Sequence, residues 1–122
     1  KYIDRDNAYR RQLAHWYRER LSKYSDKIEM IRIEDGCESS FHLFQIMVEN
    51  RDELLTYLNE AEVYPGVHYE INTNYRMYEY AKGTCPYAEY ASERIITLPM
   101  NLYLTYEDVQ YICDKVVEFV LK

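Results

Sequence analysis

The sequence predicts an α/β (α+β) fold, in which a small sheet of three to four strands is covered by helices in the order α-β-β-α-β-α-β-α. Two observations support this class. Short apolar runs of strand-like length alternate with segments whose apolar residues recur at three- and four-residue steps. The 122 residues include only 3 glycines and 3 prolines, which favours regular elements with short connections. A chain of this size can bury one core, so we expect one domain over residues 1–122.

The first element is predicted to be an amphipathic helix that ends near residue 25. Its apolar stripe comprises Tyr9, Leu13, Trp16, Tyr17 and Tyr24. A short strand over 30–34 and a turn at Asp35-Gly36 should follow. Residues 41–48 are apolar on both faces apart from His42 and Gln45, so they predict a central strand.

The middle of the chain predicts a helix, a break and a further strand. Asn50 is expected to cap the helix, with Glu53 as the reciprocal acceptor of a capping box. The buried stripe of that helix would comprise Leu54, Leu55, Leu58 and Ala61. Pro65-Gly66 should end it, and residues 67–71 are predicted to form a strand. Residues 72–83 are polar and rich in tyrosine, and we expect a loop with one helical turn.

The last third of the chain predicts two helices around an extended segment. Pro86 suits the first turn of a helix, because its missing N–H would be unpaired there in any case. One side of that helix would present Ala88, Ala91 and Ile95. Residues 96–99 should be extended, and Thr105 with Asp108 should open the final helix as a capping box. The clearest helical stripe follows, with Val109, Ile112, Cys113, Val116, Val117, Val120 and Leu121.

Composition excludes several classes of function. The net charge of −6 argues against nucleic acid as a partner. No apolar run approaches the length of a membrane span, and no signal-peptide pattern is present. The 3 cysteines lack a C-x-x-C spacing, which favours a reducing cytoplasm over a disulfide scaffold. The spacing of the possible ligands matches no metal-site pattern, so we expect no metal. These possible ligands are Cys37, His42, His68 and Cys85.

No self-contained catalytic motif is present, and the candidate binding residues lie around His68-Tyr69. Imidazole and phenol groups at a strand end can hydrogen-bond hydroxyls or phosphate oxygens. The alternative is that the side chains of His68 and Tyr69 form hydrogen bonds only with backbone groups of the protein. His42 is a further candidate, although a histidine inside a strand is more often a satisfied core residue. Tyr75 lies in the same polar segment as Arg76 and Lys82, and these two cations could offset the negative charge near a phosphorylated ligand. The alternative for all three is an ordinary exposed loop.

Four segments in order resemble the small domain of the DegT/DnrJ/EryC1/StrS sugar aminotransferases. They are the arginine-rich helix over 7–21, the aromatic-His-Leu strand at 41–44 with the helix after it, Gly-Val-His-Tyr at 66–69, and Leu-Pro-Met at 98–100 followed by Leu-Thr-x-Glu-Asp-Val at 104–109. The family often continues His-Tyr-Pro and has His-Pro after Leu-Pro-Met. Here Glu70 follows Tyr69, and Asn101-Leu102 follows Met100, so the loop that would face the sugar differs.

The resemblance implies the C-terminal small domain of a fold-type-I enzyme that uses pyridoxal 5'-phosphate. Such enzymes transfer an amino group from glutamate or glutamine to a keto-sugar that is usually nucleotide-linked. Their large N-terminal domain supplies the lysine that binds the cofactor, the aspartate at the pyridine nitrogen and most of the phosphate cup. The beginning of the chain resembles a truncation, and we expect the isolated chain to be inactive and without cofactor.

The resemblance also implies partners and site residues. The partners would be the protein's own large domain, a second subunit of a homodimer and the sugar substrate. His68 and Tyr69 would contact sugar or phosphate, with Tyr75, Arg76 and His42 as further substrate-binding candidates. Two alternatives stay open. One is a non-catalytic ligand-binding or regulatory α/β domain, and the other is a catalytically inactive member of the family.

Overall fold

A three-stranded antiparallel sheet and four α-helices form the structure, a computed structural model that describes residues 1–122. The elements are α1 (Ile3–Leu21), β1 (Glu29–Met30), β2 (Phe44–Met47), α2 (Arg51–Glu60), α3 (Pro86–Arg94), β3 (Ile95–Leu98) and α4 (Tyr106–Val120). Short 3₁₀ segments cover Ser22–Tyr24, Asn72–Asn74 and Arg76–Ala81. The predicted fold class is confirmed. No helix has both the length and the apolar character that crossing a membrane requires.

The sheet has the order β1-β2-β3, so the predicted central position of the second strand is confirmed. In the β1–β2 pair Glu29 lies opposite Met47, and in the β2–β3 pair Phe44 lies opposite Leu98. A single antiparallel bridge between Gly66 and Thr97 extends the outer edge of β3. Because β2 and β3 alternate with a period of two, one face of the sheet carries apolar side chains and the other carries Gln45 and Thr97.

The expected strand over 67–71 is reduced to the bridge at Gly66. Beyond that bridge, backbone groups of this segment form hydrogen bonds with side chains instead of with a neighbouring strand. The Gln45 amide donates to the His68 carbonyl oxygen, and the Ile71 N–H donates to the Ser92 hydroxyl. The chain therefore leaves the sheet edge with these backbone groups already paired.

Two other predicted strands are shorter than expected. The strand over 30–34 is limited to Glu29–Met30, because the Ile31 carbonyl oxygen accepts a hydrogen bond from the Arg18 guanidinium instead. The strand over 41–48 begins only at Phe44. Phe41 has a φ of 47°, a left-handed conformation that is incompatible with an extended strand.

The core lies between the apolar face of the sheet and three helices, α1, α2 and α4. At its centre Tyr17 stacks on Phe44 at 4.8 Å between ring centroids, and its hydroxyl donates to the Pro99 carbonyl oxygen at 2.9 Å. Burial raises the pKa of Tyr17 far above its usual range. The predicted stripe of α1 is confirmed: Leu13 and Tyr17 are buried, and Tyr9, Trp16 and Tyr24 pack against the core.

The two predicted helix caps have different outcomes. Thr105 and Asp108 form the expected capping box, in which each side chain bonds the backbone N–H of the other residue. Asn50 is the N-cap of α2 but makes no side-chain cap bond. Its φ of 56° is left-handed, whereas side-chain capping needs an extended N-cap, so the predicted reciprocal bond with Glu53 is wrong.

The last two helices differ in how well they pack. In α4 Val109, Ile112, Cys113 and Val116 are buried as predicted, whereas Leu121 lies at the C-cap and is exposed. Helix α3 begins at Pro86 as predicted. However, it has no buried residue, Ala88 is exposed and Ile95 belongs to β3, because α3 contacts β2 and contributes nothing to the buried core.

We predict that Tyr17→Phe lowers the free energy of unfolding by about 1 kcal/mol, because the Pro99 carbonyl oxygen loses its donor in a half-buried position. Urea unfolding followed by circular dichroism measures the change. Tyr80→Phe is the matched control, since Tyr80 is 84% exposed and should not alter stability. Equal stability of both variants would contradict a structural role for the Tyr17 hydroxyl.

The Asp108 cap predicts a dependence of stability on pH. Hydrogen bonds from the Thr105 backbone N–H and hydroxyl hold the pKa of Asp108 below its ordinary value of 3.8. A depressed native pKa stabilises the fold above the ordinary pKa, and the contribution is lost as the pH falls through the native pKa. We therefore expect the stability difference between wild type and Asp108→Asn to be constant near pH 7 and to shrink below the ordinary pKa. Glu107→Gln, which removes a carboxylate outside the cap, should show no such convergence.

Candidate functional site

The candidate site is built around His68, which follows the bridge at the outer edge of β3. Its imidazole ring lies against the backbone of Gly66. A Cβ atom placed on Gly66 would lie 2.7 Å from Cε1 of that ring, closer than real Cβ contacts allow. Gly66 therefore permits the ring to pack onto the chain two residues before it.

A cross-strand pair, Gln45 and Thr97, holds His68 in place. The N–H of Thr97 donates to the Gly66 carbonyl oxygen at 2.7 Å, and the Thr97 carbonyl oxygen accepts from the Gly66 N–H at 3.0 Å. Since both backbone groups of Thr97 are directed at Gly66, Thr97 and Gln45 are a non-hydrogen-bonded pair whose side chains lie close together. Both side chains reach His68. Thr97 Oγ1 lies 3.0 Å from His68 Nδ1, and Gln45 Nε2 donates to the His68 carbonyl oxygen at 2.5 Å.

Tyr69 is the one predicted site residue that the structure brings to His68. The two rings meet edge to face at 5.1 Å between centroids, and Tyr69 is 70% exposed. Tyr75 and Arg76 lie at the start of the third 3₁₀ segment and are exposed, and Lys82 follows the same segment. None of these three shares a hydrogen bond or ring contact with His68. The contacts of Tyr75, Arg76 and Lys82 are therefore those of an ordinary exposed loop.

His42 does not lie inside a strand, contrary to the expectation. It occupies a bend before β2 and is exposed, because the left-handed backbone of Phe41 delays the start of the strand. The interpretation of His42 as a satisfied core histidine is therefore wrong. A substrate contact by His42 stays a prediction.

Sequence reasoning missed Gln45, Gly66 and Thr97 as parts of this site. A signal was present, because Gln45 is the polar exception in the apolar second strand and Thr97 interrupts Ile-Ile-x-Leu. Only the register shows that the two residues are opposite each other on the same face. Their common contact, His68, comes from a part of the chain that local patterns cannot place.

The tyrosine-rich segment, residues 69–90, gives this side of the molecule a large exposed aromatic surface. Its exposed apolar side chains are Tyr69, Tyr75, Met77, Tyr78, Tyr80, Tyr87 and Tyr90. Such a concentration of exposed rings is typical of a surface that contacts a partner or a ligand. A cleft of about 800 Å³ lies between residues 25–29, the start of α2, the end of α4, and Tyr90 and Arg94 of α3, and His68 does not line it.

Polar groups suited to a metal or to a lysine-bound cofactor are not assembled in this chain. No group of three or more histidines, cysteines or carboxylates could hold a metal ion. The buried polar residues are Thr73 and Thr97, so no lysine and no carboxylate is buried. Of the free cysteines, Cys37 and Cys85 are exposed and Cys113 is buried. Burial raises the pKa of the Cys113 thiol to about 12, which removes it as a nucleophile.

Comparisons with known proteins place these observations in context. The model of the DegT/DnrJ/EryC1/StrS aminotransferase family matches residues 1–117. A protein of Geobacillus stearothermophilus named "Pleiotropic regulatory protein" is 30% identical over 97% of this chain and 33% of its own length. The dTDP-3-amino-3,6-dideoxy-alpha-D-galactopyranose transaminase of Aneurinibacillus thermoaerophilus is 26% identical over 94% of this chain and 32% of its own.

A solved structure has the same fold. The S. venezuelae protein DesV superposes with a TM-score of 0.91 at 24% identity, covering 99% of this chain and 33% of that chain. The chain thus spans about a third of the length of the relatives that it matches.

We predict that a thiol reagent at pH 8 titrates Cys37 and Cys85 in the native protein and Cys113 only after denaturation. The physical reason is the burial of Cys113 between α4 and the rest of the core, which also raises its pKa. Absorbance of the released chromophore gives the number of reacted thiols with time. Three thiols that react at one fast rate would contradict the packing of α4.

Proposed function

The chain belongs to the DegT/DnrJ/EryC1/StrS aminotransferase family, and on this premise we propose that residues 1–122 form the C-terminal small domain of a pyridoxal-phosphate-dependent sugar aminotransferase. The match of the family model over residues 1–117 carries the proposal. The intact enzyme would move an amino group from glutamate or glutamine to a nucleotide-linked keto-sugar. The transaminase name of one relative, which acts on a dTDP-sugar, supports this substrate class.

The residues of this chain do not fit the cofactor by themselves. A covalently bound pyridoxal phosphate needs an enclosed lysine and a carboxylate at its ring nitrogen, and this chain buries neither. In the proposed enzyme the cofactor supplies the electron sink of the reaction and is held by the large domain. We therefore assign no chemical step to this chain, whose proposed role is to bind and orient the substrate.

His68 and Tyr69 are the proposed substrate contacts. Three fixed neighbours hold the His68 ring or backbone, so its free edge has a defined direction. The exposed ring of Tyr69 lies beside it and can pack on a sugar face while its hydroxyl bonds a sugar oxygen. Arg76 makes no ion pair, so its charge is available to a phosphate despite the net charge of −6. Tyr75 and His42, both exposed, are further proposed substrate contacts.

The proposed partners are the large domain of the same protein and a second subunit of a homodimer. The tyrosine-rich segment is the part of the surface that these partners would cover. The exposed rings of Tyr87 and Tyr90 on α3 support this assignment, since a monomer gains nothing by leaving them in water. The free thiols agree with a cytoplasmic location, which we propose for the intact enzyme.

The non-catalytic alternatives are not favoured by the comparisons, because the matched family is one of aminotransferases. One relative is nevertheless named a regulatory protein, so the cofactor is the decisive observation. We expect the intact protein to have a visible absorbance band that borohydride abolishes. A protein with no such band, even after reconstitution with pyridoxal phosphate, would be a regulator instead of an enzyme.

For the substrate site, we predict that His68→Ala in the intact protein lowers kcat/KM for the sugar about tenfold. This change corresponds to the loss of one hydrogen bond to the substrate. The visible band of the cofactor should not change. His15→Ala is the matched control, because His15 is exposed on α1 and should leave kcat/KM unaltered. Unchanged kinetics in His68→Ala would remove His68 from the substrate site.

A further inference from the structure

The hydroxyl of Thr97 has one available acceptor. Thr97 is only 5% exposed, and its Oγ1 has a single hydrogen-bond partner, His68 Nδ1 at 3.0 Å. A buried hydroxyl whose hydrogen finds no acceptor carries a large desolvation cost. The Thr97 hydroxyl therefore donates to Nδ1. A neutral imidazole that accepts at Nδ1 carries its hydrogen on Nε2.

The other ring nitrogen of His68 faces outward. Nε2 has no hydrogen-bond partner within the chain. Only one buried side-chain nitrogen or oxygen lacks a partner, and that atom is Nε of Arg20, so the unpaired Nε2 of His68 is not buried. Nε2 is consequently open to solvent. Its N–H is thus a fixed donor, directed away from Thr97 on the opposite side of the ring.

Gly66 keeps the ring in this position. The backbone of Gly66 lies outside the left-handed region, so an alanine could adopt its conformation. What glycine provides is space, because a Cβ would overlap Cε1 of His68 at 2.7 Å. An alanine would push the ring away from the Thr97 hydroxyl without changing the sheet.

We propose that Thr97 and Gly66 are positioning residues that hold neutral His68 in the Nε2–H form and present this N–H as a donor to an acceptor oxygen of the substrate. The proposal rests on the proposed function, since the acceptor would be a hydroxyl or phosphate oxygen of the sugar nucleotide. It adds a specificity: the position next to His68 favours a group that accepts a hydrogen bond over one that can only donate.

The tautomer can be read directly by NMR from the ¹⁵N shifts of the imidazoles in the 122-residue chain, at a pH where all three are neutral. We expect His68 to show hydrogen on Nε2 alone. His15 and His42 are exposed, make no hydrogen bond within the chain, and serve as internal controls with averaged tautomers. Hydrogen on Nδ1 of His68 in the wild type would overturn the proposal, and this reading needs no variant.

Variants then distinguish a role of Thr97 and Gly66 in positioning the His68 ring from a role in packing alone. Thr97→Val keeps the shape and removes the hydroxyl, so His68 should show averaged tautomers, and Thr97→Ser should restore the Nε2–H form. Gly66→Ala should have the effect of Thr97→Val. In the intact enzyme Thr97→Val should raise KM for the sugar several-fold with kcat nearly unchanged, and Thr97→Ser should rescue it. A Thr97→Val chain with the wild-type tautomer, or an enzyme with unchanged KM, would overturn the positioning role.

The failure of this inference is distinguishable from the failure of the proposed function. The NMR reading requires neither cofactor nor substrate, and it tests the geometry around His68 alone. The visible cofactor band tests whether the intact protein is an aminotransferase, whatever the tautomer of His68. If the protein showed the Nε2–H form but no cofactor band, the tautomer assignment would stand, and the sugar would be rejected as the group that accepts the hydrogen bond.

Discussion

The two backbone hydrogen bonds between Gly66 and Thr97 determine where the whole middle of the chain can lie. They use the outer edge of β3, so they fix the segment that contains His68 relative to the core. They also take the backbone groups of Thr97 away from β2. The side chains of Gln45 and Thr97 are thereby brought together on one face, where both can reach His68. If this bridge were one residue out of register, the glycine would no longer lie beneath the imidazole.

The two faces of the small sheet have separate tasks. The face with Phe44 and Ile46 is part of a core in which Tyr17 stacks on Phe44 and bonds Pro99. This rigid side gives β2 and β3 fixed positions. The opposite face carries the polar pair that holds His68. An amide and a hydroxyl can remain on a partly covered face because each has its hydrogen-bond partner there. The core thus supports the candidate site although it contributes no polar group to it.

Local patterns predicted the parts of the fold that local physics decides. The stripe of α4 and the capping box at Thr105 were correct, because both depend on residues within one or two turns. The expected strand over 67–71 and the cap at Asn50 were wrong, and the reasons lie in backbone conformation and in distant side chains. Gln45 and Ser92 bond backbone groups that a strand partner would otherwise have taken. For the site, the motif at 66–69 led to His68 and Tyr69, but the residues that hold His68 needed the sheet register.

Helix α3 has a consequence for the motions of the molecule. Its C-terminal end is tied down, since the Arg94 carbonyl oxygen accepts from the Val48 N–H at 3.1 Å and Ser92 accepts from Ile71. Its first turn, with Tyr87 89% exposed, has no such support from the core. A helix of 9 residues without a buried face is marginal in water, so we expect α3 to open from Pro86 toward Arg94. Slowed exchange of its amide hydrogens would therefore report directly on any surface that came to cover it.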